Sequence, residues 1–399
     1  MKYIFKPGIN RERTNYSNEG GWYSADKVRF RMGKPERIAG WEKNTLDNFT
    51  GTCRSLYSYR DQGQTDYVGV STHLKYFLLQ GDNFNDITPI RKTSTNSITF
   101  AATNNSSSLI VTDSSHGAVA NDTVTFAEAA SLGGTVTAAV LNQSYIVVRT
   151  LTVNTYEITA KDTSGDAVVA NSSDTGNGGS AIDGIYEINV GLDVYVKGTG
   201  WGAGTWGAST WGSVSPISSS SQLRLWSQDN FGDDLIACVR GGGIFYWDES
   251  AGATQRAVPF SDLGSASNTP TLSLQIMVSD VDKHIICFGA NAIGESIVNP
   301  LLVRWSDTES ASDWTPTSTN QAGGVQLSQG STIIGALQTR QEILIWSDAG
   351  LTSMRFVGEP FIFSFIEVAA GPSLISPNAA VSANNKVYFM DRGGFYVYS

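Results

Sequence analysis

The sequence predicts an all-β fold: a β-propeller of four-stranded blades with an inserted small all-β domain and an N-terminal arm. Three observations predict it. Charged residues make up 16% of the chain against 41 glycines and 11% aromatics, a balance that suits many short strands joined by turns. Apolar and polar residues alternate through the most legible segments, which places one side of each strand on a core. Units of about 40 residues, each with four strand-like runs, return along the chain, and a unit of that size cannot bury both its faces alone.

Residues 1–50 form the arm. The first 60 residues hold 12 Lys or Arg against six Asp or Glu, while the 399-residue chain carries a net charge of −10, so the remainder is strongly acidic. In "YSADKVRFRMGKPERIAGWEK", Val28, Phe30 and Met32 alternate with Lys27, Arg29 and Arg31. That is the pattern of a half-exposed strand lying on another surface. "MGKPER" follows with the Gly and Pro of a turn.

The first blade takes residues 51–92, with strands expected at 55–59, 67–71, 75–79 and 84–87. Residues 93–189 interrupt the series. They are rich in Ser, Thr, Asn and Asp, with Arg149 and Lys161 as their basic residues, yet "SLIVTD" and "DTVTFAEA" keep the two-residue alternation. This reads as a small acidic all-β domain set into a loop, which costs little when the loop ends are close.

Residues 190–221 are a Trp/Gly-rich connector, and further blades fill 222–399. The second blade has strands expected at 223–227, 235–240, 243–247 and 254–258. The third begins at Leu272 with "SLQIMVSD", "HIICFGA" and "LLVRWSD"; the fourth is "STIIGALQTRQEILIWSDAGLTSMRFVGEPFIFSFIEV". The fifth, "AAVSANNKVYFMDRGGFYVYS", reads as incomplete after three strands. Either the natural chain continues past Ser399 or another segment completes the ring.

In the connector, "GTGWGAGTWGASTWG" spaces Trp201, Trp206 and Trp211 five apart. Five is neither the two of a strand nor the 3.6 of a helix, so the three indoles cannot share one face of a regular element. Small residues around each ring let the backbone bend so that each finds its own pocket. A loose loop exposing three indoles would invite aggregation. They are therefore expected to pack on the propeller or on a neighbouring subunit, with sugar stacking as the other reading.

The chain is expected not to be an enzyme and to need no cofactor or metal. His73, His116 and His284 stand alone, and GxSxG, HExxH and Walker motifs are missing from the sequence. "SDTESASDW" at 306–314 lacks the Asp and Gly placement of a sialidase Asp-box and reads as a turn anchored by Trp314. "DNFGDD" and "DTSGD" lack the ligand spacing of an EF-hand and read as exposed turns. Cys53, Cys238 and Cys287 have no CxxC spacing and read as buried thiols. The longest apolar runs fall short of a bilayer span and the first residues lack a signal peptide's apolar segment, so synthesis in a cytoplasm is expected.

Three long strings resemble the tail nozzle proteins of short-tailed bacteriophages, also called tail tubular protein B or packaged-DNA stabilisation proteins. They are "FKPGINRERTNYSNEGGWYSADKVRFRMGKPERIAGWEK", "GWGAGTWGASTWG" and "VRWSDTESASDWTPTSTNQAGGVQLSQGSTIIGALQTRQEILIWSDAGLTSMRFVGEPFIF". "GAVANDTVTFAEAASLGGTVTAAVLNQSYIVVRTLTVNTYEIT" is similar to a small β module inserted in many phage structural proteins. The departure is length, since family members often run longer.

The resemblance implies a structural virion protein in the phage tail, a homo-oligomer forming a ring, usually of six. It would sit below a tail adaptor, with tail fibres as a further partner, and let double-stranded DNA pass without specific binding. Arg29, Phe30 and Arg31 would then either touch DNA or dock on an acidic face of a neighbouring subunit. Alternation with apolar residues favours docking, and an acidic wall would let phosphates slide. The alternative is a carbohydrate-binding, receptor-recognising propeller.

Overall fold

The computed structural model describes residues 6–194 and 223–399, apart from Arg13, Ala39, Trp41, Asn44 and Leu46. It divides into two compact units, Met1–Asn48 and Phe49–Ser399. The first holds one hairpin, β1 (Val28–Arg31) and β2 (Lys34–Arg37), with Phe30 opposite Pro35. The stretch read from sequence as a turn is therefore mostly a strand. The turn itself is Met32 and Gly33, at φ 50° and 77°, the left-handed pair whose twist suits a two-residue hairpin. Pro35 is tolerated because a two-stranded ribbon is edge throughout.

The second unit opens with sheet I, a meander of β3 (Cys53–Arg60), β4 (Asp66–Thr72), β5 (Tyr76–Gln80) and β6 (Asn83–Asp86). All four strands lie where the alternation placed them. Then come β7 (Ile90–Ser94), β8 (Thr99–Ala102), β9 (Ser108–Thr112), β10 (Thr123–Ala127), a one-turn helix α1 (Ala138–Leu141), β11 (Ser144–Ile146), β12 (Arg149–Thr152), β13 (Thr155–Thr159) and β14 (Asp183–Glu187). They make two four-stranded sheets, in the orders β11-β10-β14-β7 and β12-β13-β9-β8. Phe100, Phe126, Tyr145, Tyr156 and Leu109 are buried in a cluster confined to this segment. The first strand, β7, pairs with the last, β14, so the chain enters and leaves side by side. That is the geometry in which an insertion is cheap.

Four further meanders follow. Sheet II is β15 (Trp226–Phe231), β16 (Asp234–Val239), β17 (Ile244–Trp247) and β18 (Val258–Pro259). Sheet III is β19 (Gln275–Val278), β20 (Ile285–Phe288), β21 (Leu302–Trp305) and β22 (Gly323–Gln326). Sheet IV is β23 (Ile333–Gln338), β24 (Ile343–Ser347), β25 (Gly350–Gly358) and β26 (Ile362–Ala370). Sheet V has three strands, β27 (Ala380–Ala383), β28 (Lys386–Asp391) and β29 (Gly394–Tyr398).

In sheet II the strand expected at 223–227 starts later and runs through Gln228, Asp229 and Asn230. Asp229 and Asn230, read from sequence as part of an exposed turn, instead pair with β16 across a Gly232 turn. The strand expected at 254–258 shrinks to Val258–Pro259, where proline ends the ladder by removing an N–H.

The five sheets stack in chain order, each pair joined by a mixed apolar cluster. Tyr67, Tyr76 and Leu78 of sheet I meet Trp226, Leu235 and Trp247 of sheet II. Ile236, Cys238 and Ile244 meet Ile276, Ile285 and Cys287. Ile286, Phe288 and Trp305 meet Ile343, Ile345 and Met354. Leu344, Trp346 and Leu351 meet Val387 and Phe389 of sheet V. Alternate residues of one strand thus serve opposite neighbours, which is why the middle strands β16, β20 and β24 are apolar on both faces.

Candidate functional site

The first strands of the five sheets converge on one axis. A cavity of about 310 Å³ lies there, walled by Gln228, Asp229, Arg240, Gln275, Trp346 and Ala380 among others. Side chains bond across it from sheet to sheet. Arg240 donates to the carbonyls of Leu274 (3.4 Å) and Ile333 (3.2 Å), linking sheets II, III and IV. Gln275 and the backbone of Ala336 exchange two bonds of 2.8 Å. Asp229 accepts from the Tyr57 hydroxyl (2.8 Å) and from the Val278 N–H (2.8 Å), joining sheets I, II and III.

Burial pushes the Asp229 carboxyl above its usual range, against the lowering effect of its hydrogen bonds from Val278, Tyr57 and Asn230. The Arg240 guanidinium is shifted down by the same desolvation. These groups act as ties within the protein.

Where the insertion joins the sheets, four charges meet. Lys75 reaches Asp86 and Glu187 at 2.8 Å each, and Arg256 reaches Asp86 at 2.8 Å and Glu187 at 3.1 Å. Burial alone would raise the Asp86 carboxyl, but bonds from Lys75 and Thr88 and the Lys75 and Arg256 charges hold it below the usual carboxylate range. This cluster was not anticipated from sequence, because its members lie in the turn before β5, on β6, on β14 and in the loop before β18.

The histidines are structural in their contacts. His116 accepts from the Ala118 N–H at one ring nitrogen and faces the Thr152 carbonyl with the other (3.1 Å). His284 is buried beside the Ser306 carbonyl (2.8 Å) and edge-on to Phe363. His73 accepts from the Thr52 N–H (3.0 Å) and lies 3.8 Å from Asp193. Trp314 is 1% exposed and donates to the Ala311 carbonyl within its turn. Asp162 folds "DTSGD" on itself by accepting from Ser164 and Asp166. Among the described residues no group of three or more His, Cys, Asp or Glu is arranged to hold a metal. None of the helices described there is long and apolar enough to cross a membrane.

Cys238 and Cys287 are buried and Cys53 half-buried, all as free thiols. Desolvation pushes the Cys238 thiol up to about 12, with Cys287 also well above its ordinary value.

In the arm, Arg29 is paired with Glu36 at 2.9 Å on the open face of the hairpin. Phe30 is half-buried, edge-on to Trp22 at 6.0 Å, and Arg31 is exposed. The alternation thus places the two arginines outward and Phe30 inward. Trp201, Trp206 and Trp211 lie outside the described residues.

Sheet V carries apolar side chains on both of its faces. On sheet V, Val381, Tyr388 and Val397 are register neighbours, with Met390 opposite Phe395 on the same face. Val381, Tyr388, Phe395 and Val397 are exposed, while Val387, Phe389 and Tyr398 on the other face pack toward sheet IV. The alternation in "KVYFMDRGGFYVY" was legible, but not which side would be uncovered.

No family model matches the chain, and no curated protein matches it. Among solved structures it is similar to a phage phi92 endosialidase at a TM-score of 0.28 and 10% identity, over 89% of this chain and 55% of that one. It is similar also to PorZ, a bacterial surface component of the type-IX secretion system of Porphyromonas gingivalis. There the TM-score is 0.27 and the identity 10%, over 92% of this chain and 42% of that one. The chain spans about half the length of these structures. Likeness at this level carries no argument about function.

Proposed function

We propose that this chain is a structural virion protein that forms the ring-shaped tail nozzle of a short-tailed phage, below the tail adaptor, and serves as a conduit for genome retention and ejection. The observation that carries the reading is the repeat itself. Five antiparallel meanders stack on shared apolar clusters, as suits a rigid scaffold of repeated sheets. The string of residues 303–363 that resembles nozzle proteins covers the outer half of sheet III and most of sheet IV, so it belongs to this scaffold.

With the sheet axis closed by its own side chains, DNA would pass through the hole between subunits. The acidic balance of the chain beyond the arm suits a wall that phosphates do not grip. Glycan binding draws on exposed indoles. Of the tryptophans among the described residues, Trp226, Trp247, Trp305, Trp314 and Trp346 are buried and Trp22 is half-buried.

Negative-stain electron microscopy of the purified protein tests the proposal. Class averages are expected to show rings, with six subunits. A strictly monomeric species at high concentration, together with quenching of tryptophan fluorescence by host-surface glycans, would favour the receptor-binding reading instead.

A further inference from the structure

We infer that the cavity between the two ends of the insertion and the outer strands of sheet II binds a small organic anion, a carboxylate or phosphate carried on an apolar body, with Arg91 taking the anionic group. The inference goes beyond the nozzle reading and does not depend on it.

The cavity measures about 310 Å³, a size that suits a small molecule. Ile90 and Ile188, where the chain enters and leaves the insertion, wall one side, and Phe245, Pro259 and Phe260 wall the other. Among the described residues Arg91 is the one charged member of the lining. A mostly apolar pocket with one placed charge is the ordinary form of a ligand site.

A break in the ladder puts Arg91 there. Tyr186 of β14 pairs with Lys92 and Glu187 pairs with Ile90, so Arg91 is the extra residue of a bulge, the local device that re-aims a side chain. Its guanidinium lies over the Tyr186 ring at 5.3 Å, and Nη1 donates to the His116 carbonyl at 2.8 Å. Nε and Nη2 are buried and have no hydrogen-bond acceptor among the described residues. Those two nitrogens form one side of the guanidinium, the fork that holds a carboxylate or phosphate by two parallel bonds. Asp122 stands 3.8 Å from Nη2, and its carboxylate is already held by the Val119 and Val190 N–H groups and the Asn189 amide. It cannot close on the fork without giving up those bonds. The Arg91 side chain keeps 19% of its surface open, so a ligand in the cavity can reach it.

The surrounding charge is unbalanced in the same sense. Arg224 donates through Nη2 to the carbonyl of Asn189, a wall residue, while its Nη1 is buried without an acceptor among the described residues. Lys92 pairs with Asp113 at 3.2 Å. Arg91, Lys92 and Arg224 thus share Asp113 and Asp122, three cations to two carboxylates. Burial pulls both arginines below their ordinary range, Arg224 down to about 10, a penalty that an incoming negative charge would relieve.

The test uses the full 399-residue chain and four probes. 2-Naphthoate and 2-naphthyl phosphate carry an apolar body with each kind of anion, 2-naphthalenemethanol has the body alone, and inorganic phosphate the anion alone. Titration calorimetry should show one site per chain, with a naphthyl anion bound about tenfold or more tighter than the alcohol or inorganic phosphate. Arg91→Met should weaken the anions by about the same factor and leave the alcohol unchanged. Because Arg91 also holds the His116 carbonyl, a second variant changes an exposed wall residue: Ser261→Trp should block the cavity and abolish binding at an unchanged urea midpoint. Hydrogen exchange with the tighter anion bound should show protection on β7, β14 and β18.

Equal affinity for the anions and the alcohol, anion binding untouched by both variants, or protection confined to the axial cavity would each overturn the inference. So would a wild type that takes up none of the probes, the result expected if water or another segment of the chain fills the cavity. Ring formation is read separately by electron microscopy, and neither result decides the other.

Discussion

Glu187→Gln isolates one charge at the joint between insertion and sheets. The carboxylate is 4% exposed, with Oε1 between Lys75 (2.8 Å) and Arg256 (3.1 Å). Its Oε2 is buried without a hydrogen-bond partner among the described residues. An amide can therefore keep its oxygen toward the two cations and place its NH2 where no partner is lost. What disappears is a negative charge, leaving two cations around Asp86 alone.

Removing one member of a buried ion cluster costs about 3–5 kcal/mol. Here Asp86 still compensates and Arg256 is about a third exposed to water, so the expected loss is about 2–3 kcal/mol. Urea unfolding should show a lower midpoint at an unchanged slope. Lys75→Met should cost less in the Glu187→Gln background than in the wild type, by more than about 1 kcal/mol of coupling. A Glu187→Gln protein within about 0.5 kcal/mol of wild type would refute the reasoning, since that is the range of an ordinary surface change.

Two more predictions concern titration and reactivity. Asp86 is held below its usual range by Lys75 and Thr88 against burial, and Glu342 by Ser353, Tyr398 and Arg355 against burial. A carboxylate lowered in the folded state stabilises above its unfolded pKa and loses that contribution as pH falls through the folded one. The urea midpoint should thus be flat from about pH 7 to about pH 5 and fall below about pH 4. Asp86→Asn should shallow that fall, and an unchanged acid limb would count against the assignment. Thiol labelling of the native protein should modify Cys53 first, with Cys238 and Cys287 reacting only in denaturant because desolvation disfavours their thiolates. Rapid labelling of all three would contradict the buried positions.

The sequence by itself determined the all-β class and nearly every strand of the five meanders, because both are local. A two-residue alternation and a turn signal are read from neighbours in the chain, and "EILIWSDAGLTSMRF" shows a strand, a turn and a strand wherever it is placed. Local signals failed where a strand is polar for long-range reasons: Gln228 and Asp229 of β15 sit at the axis because Tyr76, Tyr57 and the Val278 amide meet them there. They failed also at Lys34–Arg37, where a proline that usually marks a turn lies in an open hairpin.

Tertiary structure alone decided which of two alternating faces is covered. Val387 and Tyr388 are adjacent and both apolar in character, yet one is buried against sheet IV and the other is open. It also gathered Lys75, Asp86, Glu187 and Arg256 from four separate segments into one cluster. Charge pairing and burial depend on distance through space, and no spacing along the chain encodes them.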